Sequence, residues 1–377
     1  MLPPDARPGA IGAVRALHWR TSVRHESFPG TWLARRMFRR RLLRPRQPRW
    51  MNATAIVSLL ALVGIALVGA LLSKRGVAGD AAQLADAARH DAVPPAQLIL
   101  DGARTHRIVV LGVVPGSSAA RRIAADAVER MALGPGLDAL VLDVDRNAQP
   151  YIDAYLGAPA EDASILLAHP ETTPGANADD YLLIYRRVWQ LNQKLGADRA
   201  ITVVAAGIPG WPPSGTLAPR AEAELYARRG PAMDQAIEQD VFARIPRGRL
   251  LALVDGYQAL KSGSGALAAG GGSAVQVQWL ASLLASAHPG EVFSVLQDGP
   301  GGLREGPATN YTGTRAYQIF HEAPGLHAPF GLAVGQSFHY LRQPIVTSSS
   351  PGTQLMIEPA DYRLGDVVDG YIYLGPH

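Results

Sequence analysis

The residues of this sequence best suited to chemistry are aspartates that follow predicted buried strands. Asp143 and Asp145 come after the apolar run Ala139–Leu142, and Asp255 comes after Leu250–Val254. In a parallel sheet the carboxyl ends of the strands meet at one edge, where functional groups collect. Carboxylates gathered there can bind a divalent cation through oxygen ligands, or one of them can act as a general base.

A structural role is the alternative for the same residues. An aspartate at the end of a strand often accepts hydrogen bonds from the backbone of the following turn or helix. The segment Asp145-Arg146-Asn147 has this pattern, and Asp298 stands at the end of a further apolar run. We therefore assign a catalytic role only to Asp143 and Asp255, and only as an alternative to a binding function.

Loops at this edge of the sheet are the candidate ligand-binding region. They comprise residues 113–118, 143–150, 207–218 and 255–273. Aromatic side chains in such loops either form the walls of a pocket or pack in the core, and the sequence leaves both roles open. The candidate ligand-binding residues are Ser117, Asp145, Trp211 and Tyr257, with Tyr311 as a further aromatic residue.

Several common catalytic arrangements are absent from the sequence. The chain has no cysteine, which excludes disulfides, thiolate zinc sites and cysteine nucleophiles. The segment Gly112–Ser118 lacks the lysine of a P-loop, and Gly263–Gly272 lacks the glycine spacing of a dinucleotide site. The nucleophile motif Gly-x-Ser-x-Gly and paired metal-binding histidines do not occur either. We predict no cofactor, except a divalent metal under the alternative hydrolase function.

The strands and helices that position these residues are predicted from short apolar runs that alternate with amphipathic stretches. Strands are predicted at Arg107–Leu111, Ala139–Leu142, Ile165–Ala168, Ala200–Ala205, Leu250–Val254, Val292–Leu296 and Gly370–Leu374. Helices are predicted at Ala119–Leu133, Asp180–Leu195, Ala221–Ala243 and Ala274–Ala287, and loops at 206–218, 263–273 and 299–307. This alternation predicts an α/β fold with a mainly parallel sheet covered by helices on both faces.

One transmembrane helix is predicted to precede this domain. The run Ala53–Leu72 contains no charged residue, and at a rise of about 1.5 Å per residue it matches the thickness of a bilayer core. A cleaved signal peptide is the alternative, but Ser73-Lys74-Arg75 is not a small-residue cleavage site. The predicted organisation is a basic disordered tail (1–52), a transmembrane helix (53–73), a juxtamembrane helix and linker (74–103) and an α/β domain (104–377).

The charge distribution predicts how the chain lies in the membrane. Residues 1–50 contain 12 arginines, no lysine and two acidic residues, whereas residues 51–377 carry a net charge of −6. Arginines beside an apolar span are retained in the cytoplasm, so we expect a single-pass bacterial inner-membrane protein with a periplasmic domain. The tail is suited to contact anionic lipid, and no nucleic-acid partner is expected. The expected partner of the domain is an unknown small molecule or an envelope protein.

Several segments, in order along the chain, resemble the erythromycin esterase-like branch of the superfamily that also holds haem-uptake lipoproteins and Tiki-type proteases. The strand Arg107–Leu111 continues as Gly112-Val113-Val114-Pro115-Gly116-Ser117, which is similar to the family's Gly-Glu-x-His-Gly-Ser/Thr motif. Leu140-Val141-Leu142-Asp143 resembles a second family strand that ends in an acid. The ending Val367–Leu374 resembles the closing Phe-Asp-Ala-hydrophobic strand.

The resemblance fails at the family's catalytic residues. Val113 stands at the position of the family's glutamate, and Pro115 at that of its histidine. The segment Ala232–Ile237 resembles the family's Arg-Asp-x-x-Met-Ala helix with the arginine lost, and Asp255-Gly256-Tyr257-Gln258 lacks the histidines of a His-Asn-x-His motif. The resemblance therefore implies an esterase-like domain that has lost the family's chemistry and acts as a ligand- or partner-binding module. A hydrolase that uses Asp143 and Asp255 with a divalent metal or an activated water is the alternative.

Overall fold

The structure, a computed structural model, describes most of the predicted domain and a short stretch before it. The described residues are 81–174, 178–211, 217–269, 274–300, 315–334, 346–350, 353–358 and 364–376. The predicted basic tail and the predicted transmembrane run Ala53–Leu72 lie outside these ranges. Within the ranges, none of the helices combines the length and the apolar composition needed to cross a bilayer.

A sheet of seven strands forms the centre of the described part. Its strands are β1 (Ile108–Gly112), β2 (Ala139–Asp145), β3 (Thr202–Gly207), β4 (Leu250–Val254), β7 (Val292–Asp298), β8 (Phe330–Ala333) and β11 (Gly370–Tyr373). Their order across the sheet is β3-β2-β4-β1-β7-β11-β8. All neighbouring pairs are parallel except β8, which pairs antiparallel with β11. The prediction of a mainly parallel α/β sheet is thus confirmed.

A second, smaller sheet is entirely antiparallel. It contains β5 (Ser264–Ala269), β6 (Val275–Val277), β9 (Val346–Ser350) and β10 (Thr353–Glu358). Their order is β6-β5-β10-β9.

Helices surround the main sheet. They are α1, described over residues 81–91, then α2 (Pro95–Thr105), α3 (Ser118–Leu133), α4 (Gln149–Leu156), α5 (Ser164–Leu167), α6 (Ala178–Leu195), α7 (Pro219–Ile237), α8 (Leu280–Ala287), α9 (Arg315–Glu322) and α10 (Leu364–Val367). Helix α7 continues into a π-helical turn at Glu238–Phe242, which accounts for the long helix predicted at Ala221–Ala243.

Both faces of the sheet are covered, as the near-continuous apolar strands require. All five residues of β1 are buried. Because side chains alternate along a strand, Val109 and Leu111 pack on one face in a cluster with Val128 of α3. Ile108 and Val110 face the other way, in a separate cluster with residues of α7 and α8.

Three of the predicted elements are wrong. Ile165–Ala168 was predicted as a strand but lies in the helix α5, because a four-residue apolar run does not distinguish a strand from a helical turn. The predicted helix Ala274–Ala287 begins only at Leu280, after β6. The predicted loop 263–273 contains β5, which pairs with β10 far along the chain.

Helix α2 packs within the same core as the sheet. Leu98, Ile99 and Ala103 are buried in the cluster that also contains Val109 and Leu111. These helix residues belong to the predicted juxtamembrane segment, before the predicted start of the domain at Arg104. Packed structure therefore extends to the N-terminal side of that position.

Candidate functional site

A cavity of about 250 Å³ lies at the carboxyl edge of the central strands β1, β2 and β4. Parallel sheets bind ligands at this edge, so its position agrees with the expectation from the sequence. The lining comes from the ends of the three strands, from helices α3, α6 and α7, and from the loop after β3. The lining residues are Val113, Pro115, Arg121, Leu142, Asp143, Pro174, Tyr181, Trp211, Tyr226, Arg229, Leu253, Val254 and Asp255.

Arg229 of α7 joins the two candidate catalytic aspartates. Its Nη2 donates to Oδ2 of Asp143, and its Nη1 lies 2.7 Å from Oδ2 of Asp255. The Arg229 side chain is only 3% exposed and that of Asp143 9% exposed, so this charge cluster is largely removed from water. Asp143 and Asp255 therefore share one positive partner at the base of the cavity.

Asp255 also stabilises the turn that follows β4. Its Oδ1 accepts hydrogen bonds from the backbone N–H groups of Tyr257 and Gln258, each at 3.1 Å. Both carboxylate oxygens of Asp255 are thus engaged, one with the turn and one with Arg229. The residue combines the structural role and the site role that the sequence left open.

Burial and the neighbouring charges shift the pKa values of Asp143 and Arg229. Burial raises the pKa of Asp143; Arg229 opposes this shift, while the nearby charge of Asp255 adds to it. At Arg229, burial disfavours the charged form, but Asp143 and Asp255 outweigh it and raise the guanidinium pKa. The Oδ1 atom of Asp143 is buried and has no hydrogen-bond partner among the described residues. Asp143 therefore has one carboxylate oxygen without a partner in the described part of the chain, and burial favours its protonated form.

The position of Arg229 depends on a close approach by α7. A Cβ atom at the next residue, Gly230, would lie 2.1 Å from the carbonyl oxygen of Gln278 and 3.1 Å from Oε1 of Gln258. Gln258 belongs to the turn that Asp255 caps, and its Oε1 also accepts from the N–H of Leu280. A glycine at position 230 thus lets α7 lie against the segments that fix the site.

Aromatic rings cover the two arginines of the cavity. The guanidinium carbon of Arg229 lies 3.9 Å from the ring centroid of Trp211, which meets Tyr226 edge to face at 5.1 Å. The guanidinium carbon of Arg121 lies 4.1 Å from the ring centroid of Tyr181, and its Nη2 donates to the Tyr181 hydroxyl at 2.9 Å. Cation–π contacts of this kind are strengthened by partial removal from water.

Of the residues singled out from the sequence, Asp143, Asp255 and Trp211 line the cavity, and three others lie outside its lining. Asp145 accepts from the N–H groups of Asn147 and Gly210, at 2.8 and 2.7 Å, which is the capping role weighed as its alternative. Ser117 caps α3 by accepting from the N–H of Ala120 at 3.2 Å. Tyr257 stacks on Trp279 at 5.9 Å.

Asp298 and Tyr311 were also named as candidate residues from the sequence. Asp298 accepts from the Tyr371 hydroxyl at 2.9 Å, on the other side of β7 from the cavity strands. Tyr311 lies outside the described residues.

Sequence reasoning missed Arg229, although a signal for it was present. The family motif Arg-Asp-x-x-Met-Ala has its arginine four residues before its methionine, and Arg229 lies four residues before Met233. If the resemblance is aligned in that frame, Arg229 stands at the motif's arginine, Gly230 at its aspartate and Asp234 at its alanine. Arg121, Tyr181 and Tyr226 were missed as well, since each lies inside an amphipathic helix without a local motif.

Val113 and Pro115 both line the cavity. These are the positions at which the sequence resemblance places the family's glutamate and histidine. The two positions at which the resemblance fails therefore lie on the wall of this cavity. Neither side chain can transfer a proton.

The described part of the chain contains no ligand set for a metal ion. No group of three or more histidine, cysteine, aspartate or glutamate side chains is close enough there to hold an ion. Asp143 and Asp255, the pair considered for a divalent cation, instead share the guanidinium of Arg229.

Solved structures of other proteins are similar to this chain in fold. No protein-family description and no curated protein sequence matches the chain. Among solved structures, a Bacillus cereus protein has a TM-score of 0.52 at 13% identity, covering 78% of this chain and 97% of its own. A succinoglycan biosynthesis protein has a TM-score of 0.50 at 10% identity, covering 78% and 96%. An erythromycin esterase variant in its open conformation has a TM-score of 0.47 at 11% identity, covering 73% and 91%.

Proposed function

We propose that this protein is a ligand-binding module on an esterase-like scaffold, and that the ligand occupies the cavity around Arg229. The observation that carries the proposal is that Val113 and Pro115 line the cavity, since the sequence resemblance aligns these two residues with the family's catalytic glutamate and histidine. The cavity keeps charged and aromatic groups suited to recognition, Arg229 and Trp211 among them. A cavity that has groups suited to recognition, but neither the glutamate nor the histidine of the family's motif, favours binding over turnover by the family's mechanism.

The buried charges support the same conclusion. Asp143 and Asp255 are both bound to Arg229, and Asp255 is also held by two backbone N–H groups. A general base must reach its substrate proton within hydrogen-bond distance, and Asp255, which is held on both carboxylate oxygens, is poorly placed for that task. We assign Arg229 and the two aspartates the task of shaping the floor of the cavity.

Hydrolysis of p-nitrophenyl acetate and p-nitrophenyl butyrate tests the proposal. The full chain is compared with Asp143→Asn, Asp255→Asn and the exposed control Asp126→Asn. We expect all four proteins to hydrolyse the esters at the same background rate. A rate above background that is lost in Asp143→Asn and kept in the control would contradict the proposal, whether or not Asp255→Asn also loses it.

The second candidate function is a divergent hydrolase that uses Asp143 with an activated water. It is favoured by one observation, the raised pKa of Asp143 together with its unpartnered Oδ1 atom. Raised pKa values are a recurrent feature of catalytic carboxylates. The comparison of variants separates the two functions, because a hydrolase loses turnover in Asp143→Asn whereas a binding module only changes its affinity.

The proposal also includes attachment to a membrane. The apolar run Ala53–Leu72 would anchor the chain in a bacterial inner membrane, with the arginine-rich tail in the cytoplasm and the domain in the periplasm. The tail would contact anionic lipid, and an envelope protein is a further possible partner of the domain. Fusing alkaline phosphatase, which is active only in the periplasm, to the C-terminus tests the orientation. We expect an active fusion, and an inactive one would contradict the proposed topology.

A further inference from the structure

We infer that the ligand of this cavity is a small organic carboxylate with an apolar body, and that Arg121 and Tyr181 bind its carboxylate group. The inference rests on the proposed function, since it names the class of ligand for the same cavity. The two arginines that line the cavity differ in the partners that they have in the described part of the chain.

Arg121 is the lining cation without a carboxylate partner. Arg229 is bound by Asp143 and Asp255, whereas among the described residues no acidic side chain lies within ion-pair distance of Arg121. Segments 175–177 and 212–216, which adjoin lining residues Pro174 and Trp211, contain no acidic residue in the sequence. An arginine is charged at physiological pH and presents its donors in a fixed fork that matches a carboxylate.

Tyr181 orients Arg121 and adds a donor of its own. Its ring lies under the guanidinium, and its hydroxyl oxygen accepts from Nη2 at 2.9 Å. The hydroxyl proton is therefore available for another acceptor. Burial raises the pKa of Tyr181, so the hydroxyl keeps that proton near neutral pH. Guanidinium and hydroxyl together offer donors to one anionic group.

The rest of the lining selects the kind of anion. Asp143 and Asp255 belong to the same cavity, so a doubly charged phosphate would meet two carboxylates, whereas a single carboxylate carries half that charge. Apolar side chains supply the remaining walls, and they include Val113, Pro115, Leu142 and Leu253. A carboxylate attached to a compact apolar or aromatic body matches this combination.

Saturation-transfer NMR on the full chain tests the inference with matched pairs of fragments. The pairs are benzoate with benzamide and phenylacetate with phenylacetamide, which differ in charge but hardly in shape. The proteins are the wild type, Arg121→Gln, Tyr181→Phe and the exposed neighbour on the same helix, Arg122→Gln. Circular dichroism establishes that each variant is folded, and Tyr181→Phe serves as the second test if Arg121→Gln is not.

We expect at least one carboxylate to bind the wild type at least tenfold more tightly than its amide. Arg121→Gln should abolish that preference, Tyr181→Phe should reduce it several-fold, and Arg122→Gln should leave it unchanged. Amides that bind as well as carboxylates, or a preference that survives Arg121→Gln, would overturn the ligand class and leave the binding site itself standing. If no member of either pair binds, the ligand class and the proposed function both fail.

Discussion

At the scale of single residues, the site is defined by one buried arginine that compensates two aspartates, of which Asp143 is nearly buried and Asp255 partly exposed. Burial removes charge from water, and the cluster is tolerated because Arg229 contacts both carboxylates at once. Removing one member of such a cluster destabilises the fold more than replacing all its members by apolar residues, because the remaining charges are left without a partner. The stability of the fold and the shape of the cavity are therefore linked through Arg229.

Substituting Arg229 by methionine should destabilise the protein strongly. The two carboxylates would then face each other without a counter-charge, and breaking a buried pair in this way costs about 3–5 kcal/mol. The free energy of unfolding is measured by urea titration. Arg228→Met, at the exposed neighbouring position, is the control and should stay within about 0.5 kcal/mol of the wild type. A loss below 1 kcal/mol in Arg229→Met would show that the cluster contributes little to stability.

The raised pKa of Asp143 predicts a pH dependence of stability. The folded protein holds this proton at pH values where the unfolded chain, with an ordinary aspartate pKa of about 3.9, has released it. The stabilising contribution of Asp143 is therefore complete below that value and is lost as the pH rises through the folded pKa. Asp143→Asn cannot ionise. Between pH 4 and 8 the thermal midpoint of the wild type should thus fall relative to that of Asp143→Asn, and a relative rise would contradict the burial argument.

Two of the three members of this cluster were predicted from the sequence. Asp143 and Asp255 were found because each ends a buried apolar strand, a pattern visible within a few residues. Arg229 was not found, since its partners are remote in sequence and only the packing of α7 brings them together. Asp145 and Ser117 were chosen by the same strand-end rule, which does not distinguish a carboxylate or hydroxyl aimed at a cavity from one aimed at the nearest backbone N–H.

At the scale of elements, the approach of α7 to the neighbouring turn determines where the site forms. Gly230 lies against the carbonyl oxygen of Gln278, and the same contact region includes Gln258 of the turn capped by Asp255. Helix, turn and strand end therefore hold one another in position. A change in this packing should reach the ligand site without touching a lining residue.

Gly230→Ala tests this dependence. The added methyl group would lie 2.1 Å from the Gln278 oxygen, so α7 must move, at a cost typical of overpacking of about 1–3 kcal/mol. Urea unfolding measures that cost, and the fragment titration measures the accompanying loss of affinity. Ala221→Ser, on an exposed turn of α7, should change neither quantity. Unchanged stability and affinity in Gly230→Ala would mean that the close packing is not required.

The elements differed in how well the sequence predicted them. Strands β1, β2, β4 and β7 were predicted because each is a continuous apolar run that is buried on both faces. Strand β5 was missed because it is rich in small residues, and strand β6 because it has only three residues. The strand β5 is paired with β10, about 90 residues later in the chain, so no local pattern marks it.

At the scale of the whole molecule, we expect the proposed anchor to confine the domain to a membrane surface. The charge difference between the arginine-rich first 50 residues and the acidic remainder gives the chain a defined polarity. Deleting residues 53–72 should move the protein from the membrane fraction to the soluble fraction after lysis and high-salt washing. Retention in the membrane fraction would show that another part of the chain, or a partner, makes the attachment.

The most direct test of the central claim is a crystal structure of the protein soaked with the preferred carboxylate and with Mn²⁺, recorded with anomalous diffraction. We expect electron density for the carboxylate beside Arg121 in the cavity. Arg229 should remain bound to Asp143 and Asp255, with no manganese signal between the two aspartates. A manganese ion that bridges Asp143 and Asp255 with Arg229 displaced would contradict the account and favour a metal-dependent hydrolase.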